Sequence, residues 1–151
     1  MPDMQQLPPL LGAFGLGCAF VIYLLLTRRP AGEGKVLKIA AAIHLGAMVF
    51  LQREYKMLAL FAAVLIALLW YFLGGSTALA FLCGAACSAL AGWLGMYAAT
   101  KANVRTTTAA HTQGAAAALS VAFYGGSIMG LCVASLGLLG MGRVGEAIAS
   151  R

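Results

Sequence analysis

Acidic side chains, the groups that hold divalent cations and transfer protons in catalysis, are scarce in this chain. The four carboxylates are spread from Asp3 to Glu146, and the nearest pair, Glu33 and Glu54, is 21 residues apart. Catalysis on a phosphate-like substrate needs several carboxylates around Mg²⁺ and basic side chains beside the anion. A Ser-His-Asp set is excluded as well, because the only aspartate lies in the N-terminal tail. We therefore expect no catalytic, cofactor-binding or metal-binding residue in this chain.

The remaining reactive side chains favour structural roles. His44 and His111 are the groups that titrate near neutrality, and a solvated or helix-facing role is the simplest interpretation of both. All cysteines lie in apolar runs, at Cys18, Cys83, Cys87 and Cys132. Cys83 and Cys87 are one helical turn apart and could hold a metal, but packing between helices is the favoured interpretation. The Gly-rich residues 12–17 imitate a phosphate loop but lack its GK[ST] ending.

The composition predicts an all-α, polytopic membrane protein. Apolar residues make up 62% of the 151-residue chain and charged residues only 9%, with a mean hydropathy of +0.93. A soluble domain carries about 25% charged residues. The partner implied by these values is the lipid bilayer.

Four membrane spans follow from the charge-free runs, and together they form a single four-helix membrane region over residues 1–151. The predicted spans are residues 10–26, 57–73, 77–100 and 114–140, separated by a Gly-rich loop, a Gly-Gly-Ser turn and a polar connection over residues 106–113. Residues 141–151 are predicted to be a short tail. Small residues four apart predict close helix approach at Gly84, Ser88 and Gly92 and again at Gly126 and Gly130.

The second span is the charge-free end of a longer helix over residues 36–73. Thirty-eight helical residues extend about 57 Å, against about 30 Å of hydrocarbon core. The half that carries Arg53, Glu54 and Lys56 is therefore expected in headgroups and water, or against another part of the protein. Two interpretations of residues 53–56 stay open: an interfacial anchor with Tyr55 at headgroup level, or a docking contact to a cytoplasmic catalytic part.

Basic residues predict the orientation. Eight of the ten lie between spans one and two or between spans three and four, at Arg28, Arg29, Lys35, Lys38, Arg53, Lys56, Lys101 and Arg105. The positive-inside rule then places both termini outside and both polar connections in the cytoplasm. The net charge of +6 reports this orientation and not nucleic-acid binding, because no basic stripe with interleaved aromatic residues is present. A small proton-driven exporter is disfavoured because residues 10–26 contain no glutamate.

Three segments resemble the membrane-bound, ion-pumping pyrophosphatases. Residues 95–106 (GMYAATKANVRT) resemble the third-helix signature of that family, and residues 122–130 (AFYGGSIMG) with 136–140 (LGLLG) resemble its fourth helix. Residues 39–56 are similar to its long second helix, ending in FLQREYK. The match runs from about Val36 to Gly140, and the family's chains are far longer, so this chain resembles their N-terminal part.

The resemblance implies the activity of a larger enzyme. Members hydrolyse pyrophosphate at a cytoplasmic Mg²⁺ site, couple hydrolysis to proton or sodium export, and work as homodimers. For this chain, the resemblance implies a bacterial cell membrane as the location. Their catalytic residues and ion gate lie on later helices, so the resemblance gives this chain a bracing role and predicts that it is inactive alone. The GGSIMG version of the fourth helix leans towards sodium-type members that require K⁺.

The sequence departs from the family pattern in two places, and other functions stay open. His44-Leu45 stands before Gly46 where members usually carry Gln-Glu, and residues from Gly142 onward do not resemble the usual approach to a fifth helix. The first alternative is a free-standing four-helix membrane scaffold or small transporter subunit. The second is an assembly module that binds anionic lipid through its basic cytoplasmic face.

Overall fold

The computed structural model describes the backbone of residues 7–149 and the side chains of residues 7–140. Within that range the chain forms four helices and no strand: α1 (Leu7–Thr27), α2 (Lys35–Leu73), α3 (Gly75–Gln113) and α4 (Ala115–Ala149). Each helix contains a stretch long and apolar enough to cross a membrane. The predicted all-α, four-helix membrane architecture is confirmed.

Proline and glycine define where the helices begin and end. Pro8 and Pro9 lie in the first turn of α1, where a missing backbone N–H costs nothing, and Pro30 follows its end. Single glycines then reverse the chain between the other helices: Gly74 has φ 92° and Gly114 has φ 88°, values that residues with a Cβ rarely adopt. The consecutive helices α2, α3 and α4 are therefore joined as antiparallel hairpins with one-residue connections.

The polar connection predicted at residues 106–113 is wrong, because these residues form the last two turns of α3. Three threonine hydroxyls in this stretch donate to backbone carbonyls four residues earlier, and they belong to Thr107, Thr108 and Thr112. Hydroxyl groups satisfied by the helix itself do not interrupt it. The short tail predicted from Met141 is also helical as far as Ala149, since no proline ends α4, while residues 150–151 lie outside the described range.

The spatial order of the helices is α1, α4, α3, α2. The largest interface joins α3 to α4, followed by α1 with α4 and α2 with α3, whereas α1 meets α3 only briefly. In the part of the chain that the structure describes, α1 and α2 do not pack against each other, although they are consecutive. The core lies along α4 and contains Leu26, which is fully buried, together with Ile128 and Cys132.

The interfaces of α4 depend on side chains that are small or absent. A Cβ at Gly12 would lie 2.7 Å from the carbonyl oxygen of Ser135, and one at Gly125 would lie 2.5 Å from Cβ of Ala102. A Cβ at Gly15 would meet the side-chain hydroxyl of the same Ser135. Helices in lipid gain little from burying apolar surface, so close backbone approach is the main source of their packing energy.

The two predicted rows of small residues are only partly confirmed. Gly92 faces Tyr55, because a Cβ added at Gly92 would lie 2.7 Å from the Tyr55 hydroxyl oxygen. A Cβ added at Gly84 would meet nothing within 4 Å in the described part of the chain. On α4 the contact is made by Gly125, while Gly126 and Gly130 meet nothing within 4 Å in the described part of the chain. The four-residue spacing of Gly126 and Gly130 correctly identifies α4 as a closely packed helix, but the contact is made by the adjacent residue Gly125.

Gly125→Ala should weaken the α3–α4 interface, because the added methyl group meets Ala102, whereas Gly126→Ala adds the same methyl group into open space. Overpacking costs about 1–3 kcal/mol, and Gly→Ala in a helix returns up to about 1 kcal/mol. We expect a lower apparent melting temperature for Gly125→Ala than for Gly126→Ala in mild detergent, measured by the fraction that stays monodisperse after heating. Equal melting temperatures for the two variants would contradict the close packing of α3 and α4.

Candidate functional site

Aromatic and polar side chains surround Tyr97 on the side of α3 that faces α1 and α2. This Tyr97 cluster consists of Tyr23 of α1, His44 of α2, and Trp93, Tyr97, Thr100 and Lys101 of α3. The Tyr97 ring stacks on Trp93 with 5.8 Å between centroids and meets the His44 ring edge-on at 5.3 Å. The Tyr23 ring lies 6.4 Å from the Tyr97 ring, and the Lys101 ammonium lies 5.7 Å from its centroid. One ring on α3 thus connects α1 with α2.

His44 is held by a hydrogen bond within the cluster. Its Nδ1 lies 2.7 Å from the Thr100 hydroxyl oxygen, and that hydroxyl donates its own proton to the Tyr97 carbonyl at 2.9 Å. A threonine hydroxyl has a single proton to donate, so His44 must donate from Nδ1. The helix-facing role predicted for His44 is confirmed. His111 lies exposed in the last turn of α3, where a basic side chain favours the helix C-terminus.

Arg105 fastens the end of α1 to α3. Its Nε donates to the carbonyl of Arg29 at 3.1 Å and its Nη2 to the carbonyl of Thr27 at 3.4 Å, while Nη1 bonds the carbonyl of Lys101 at 2.9 Å. The last carbonyls of a helix lack partners within the helix and carry partial negative charge. A guanidinium at this position both satisfies and neutralises them, so Arg105 sets the level of α1 along α3.

The donor set does not fit a magnesium site. In the described part of the chain, no three His, Cys, Asp or Glu side chains come together as a metal site would require. The Tyr97 cluster contains no carboxylate, and Glu54 is exposed on α2. The four cysteines carry no disulfide; Cys132 is buried in the core, but Cys83 is exposed and does not pack between helices of this chain as predicted. The contacts of the Tyr97 cluster and of Arg105 join helices to each other.

Residues 53–56 lie beside the middle of α3. The Tyr55 hydroxyl donates to the Ala89 carbonyl at 2.5 Å, and Ala89 is central in the charge-free run of residues 77–100. An interfacial anchor is expected at the end of such a run, so this contact does not favour the headgroup-level position of Tyr55, which stays a prediction. Arg53, Glu54 and Lys56 are exposed on the other sides of α2. The one-residue turn at Gly74 accounts for this level, because Tyr55 lies 19 positions before it and Ala89 lies 15 positions after it.

A groove of about 880 Å³ opens between α2 and α3 next to Tyr55. Its walls are almost wholly apolar, with Leu58 and Phe61 on α2, Phe81 on α3, and Met129 of α4 at its base. An apolar groove without a basic side chain cannot hold a multiply charged anion such as pyrophosphate, because the charge would lose its hydration without replacement. No local signal in the sequence reveals this groove.

Arg105→Leu should loosen the inner end of α1, since the carbonyls of Thr27 and Arg29 lose their charged donor. Loss of such hydrogen bonds costs about 1–3 kcal/mol. Amide hydrogen exchange over residues 24–29 should become faster in detergent-solubilised protein. Arg28→Leu is the matched control, because it removes a neighbouring exposed charge that makes no hydrogen bond in the described part of the chain. Equal exchange in both variants would show that Arg105 does not hold α1.

Comparison with known proteins places these elements in a family. The family model described as inorganic H⁺ pyrophosphatase matches residues 13–150. A putative K⁺-stimulated pyrophosphate-energized sodium pump of Clostridium tetani is 45% identical over 123 residues, covering 81% of this chain and 18% of the relative. The K⁺-insensitive pyrophosphate-energized proton pump 2 of Moorella thermoacetica is 43% identical over 144 residues, covering 91% of this chain and 20% of that pump. The K⁺-stimulated pyrophosphate-energized sodium pump of Thermotoga maritima is 42% identical over 127 residues.

The chain thus spans about a fifth of the length of these relatives, at the N-terminal part of the family pattern. The match covers α2, α3, α4 and most of α1, so it includes both the Tyr97 cluster and Arg105. The resemblance seen in three separate segments of the sequence is confirmed, and the chain is an integral membrane protein that belongs to the inorganic H⁺ pyrophosphatase family.

Proposed function

We propose that this chain is the N-terminal bracing portion of a pyrophosphate-energised ion pump. The observation that carries the proposal is the match of nearly the whole chain to about a fifth of each pump. The packing supports it, because the Tyr97 cluster and Arg105 join helices and supply no carboxylate set. In this proposal pyrophosphate and Mg²⁺ bind to later helices of the pump, and the working enzyme is a homodimer.

The choice of ion is assigned to residues outside this chain. Sodium pumps stimulated by K⁺ and proton pumps insensitive to K⁺ match the chain with similar identity, at 45% and 43%. If the first four helices determined the ion or the K⁺ requirement, one class would be expected to match distinctly better. The GGSIMG segment of the fourth helix is therefore not proposed to determine sodium pumping.

For the orientation, we propose that both termini face outside a bacterial cell membrane. Contacts of Arg105 with the end of α1 bring most basic residues to one end of the bundle: Arg28, Arg29, Lys35, Lys38, Lys101 and Arg105. The Gly74 turn at the opposite end carries no charge. The positive-inside rule supports a cytoplasmic position for the basic end. Arg53 and Lys56 do not contribute, because they lie beside the middle of α3.

The proposal predicts that the 151-residue chain, purified alone, does not hydrolyse pyrophosphate with Mg²⁺ present. Hydrolysis and ion uptake into vesicles should appear when the portion of the Moorella thermoacetica pump that follows the matched region is co-expressed. Phosphate release and a vesicle ion indicator measure the two activities. The control is that later portion expressed without this chain, which should be inactive. Hydrolysis by the short chain alone would contradict the assignment of a bracing role.

Thiol labelling tests the orientation. In a variant without its four native cysteines, Gln113→Cys at the end of α3 should be protected from an impermeant maleimide in intact cells. Tyr71→Cys, near the opposite end of α2, should be labelled, and both positions are exposed in the described chain. After cells are opened, both variants should react, which controls for reactivity. Labelling of Gln113→Cys in intact cells would reverse the orientation.

A further inference from the structure

Helix contacts place Arg53 level with the charge-free run of α3. Tyr55 bonds the carbonyl of Ala89, near the centre of the charge-free residues 77–100 of α3. Residue 77 lies about 18 Å from Ala89 along the helix axis and residue 100 about 17 Å from it on the other side. If these residues cross a hydrocarbon core of about 30 Å, Tyr55 and its neighbour Lys56 lie near the bilayer midplane, and Arg53 lies about one turn away at most.

The first helix independently places these residues within the predicted span, but nearer to its outer end than to its centre. Met129 of α4 lies against Gly95 of α3, and Ser135 of α4 lies against Gly12 of α1. Ser135 is six residues after Met129 on α4. Because α3 runs antiparallel to α4, the residue of α3 at the level of Ser135 is six residues before Gly95, which is Ala89. Tyr55 is therefore level with Gly12, about 22 Å from the inner end of α1 at Thr27. A bilayer that covers α1 thus also covers Arg53, Glu54 and Lys56.

The Arg53 side chain points away from the rest of the chain. Leu51 and Tyr55 pack against α3, and Arg53 is two residues from each, which is about 200° around the helix. Its neighbours on that outer side are apolar and strongly exposed: Phe50 at 56%, Met57 at 73% and Leu60 at 71%. We call this surface, formed by Phe50, Arg53, Met57 and Leu60, the Arg53 face. No hydrogen bond or ion pair reaches Arg53 from any described residue.

Neither lipid nor water suits this face. Lipid would surround the guanidinium of Arg53 with no counter-charge and would also hold the charges of Glu54 and Lys56 inside the predicted span, which is costly. Water would instead wet a contiguous apolar stripe and require the apolar runs of α1 and α3 to leave the bilayer. A protein surface that is apolar around one acidic group satisfies both requirements.

We propose that the Arg53 face docks a transmembrane helix from the later part of the pump, and that this helix presents a carboxylate to Arg53 at membrane depth. This inference rests on the proposed function, because the pumps that match the chain are about five times its length. Charge selects this occupant over a second copy of the chain. Two cations and one anion give residues 53–56 an excess positive charge, so two such faces would repel each other.

The test is co-purification of the tagged chain with the later portion of the Moorella thermoacetica pump from co-expressing cells. Arg53→Leu removes the charge but keeps the apolar stripe, and it should lower the recovered later portion at least about tenfold, as expected when a buried ion-pair partner is lost. Arg53→Lys keeps the charge and should retain most of the association. Lys35→Leu, an exposed charge at the start of α2, is the matched control and should leave recovery unchanged.

A photo-crosslinking residue in place of Met57 identifies what covers the face without changing Arg53. The expected adduct contains the later portion of the pump. Adducts only with lipid or only with a second copy, or full recovery with Arg53→Leu, would overturn the Arg53 face as this docking site while leaving the proposed function intact. Failure of the unaltered chain to co-purify with the later portion would overturn the proposed function itself. If the Arg53→Leu variant does not accumulate in the membrane, the identity of the Met57 adduct alone tests what covers the Arg53 face.

Discussion

Close approach of backbones along α4 is the constraint on which the bundle depends. Gly12 and Gly15 of α1 and Gly125 of α4 lie where a methyl group would meet another helix. Because lipid offers helices little reward for burying apolar surface, packing distance decides which helices associate. Once α4 lies between α1 and α3 at this distance, Arg105 fixes the level of α1 along α3, and His44 holds α2 against α3 through Thr100 and Tyr97.

Helix existence was predictable from the sequence, whereas the relations between helices were not. Charge-free runs, Pro30 and the glycines at the turns mark four membrane helices, since each feature acts locally. The polar composition of residues 106–113 predicts a connection, but their threonine hydroxyls bond within the helix, which continues through them. The Tyr97 cluster joins residues 23, 44 and 97, and no local pattern relates positions so far apart in the chain. The level of Arg53 beside α3 follows from the one-residue turn at Gly74, which hydropathy does not report.

No three potential metal ligands come together in the described part of the chain, which agrees with the proposed bracing role. Groups that bind anions or Mg²⁺ at membrane depth carry a high cost in lipid, so they belong where other helices surround them. Much of the outer surface of the described chain is apolar, while Arg105 and His44 make their polar contacts with neighbouring helices. The proposed bracing role also agrees with the similar identity at which relatives that move different ions match this chain.

The spatial order α1, α4, α3, α2 has a consequence for biosynthesis. The hairpins formed at Gly74 and Gly114 can close as soon as each second helix leaves the ribosome, because their partners are adjacent in the chain. The first helix cannot, since Gly12 and its neighbour Ser135 are separated by 123 residues. At about 5–20 residues per second, α1 waits in the translocon or in lipid for roughly 6–25 s before its permanent neighbour is synthesised. During that interval its unpacked glycine surface is open to insertion factors and to helices of other nascent chains.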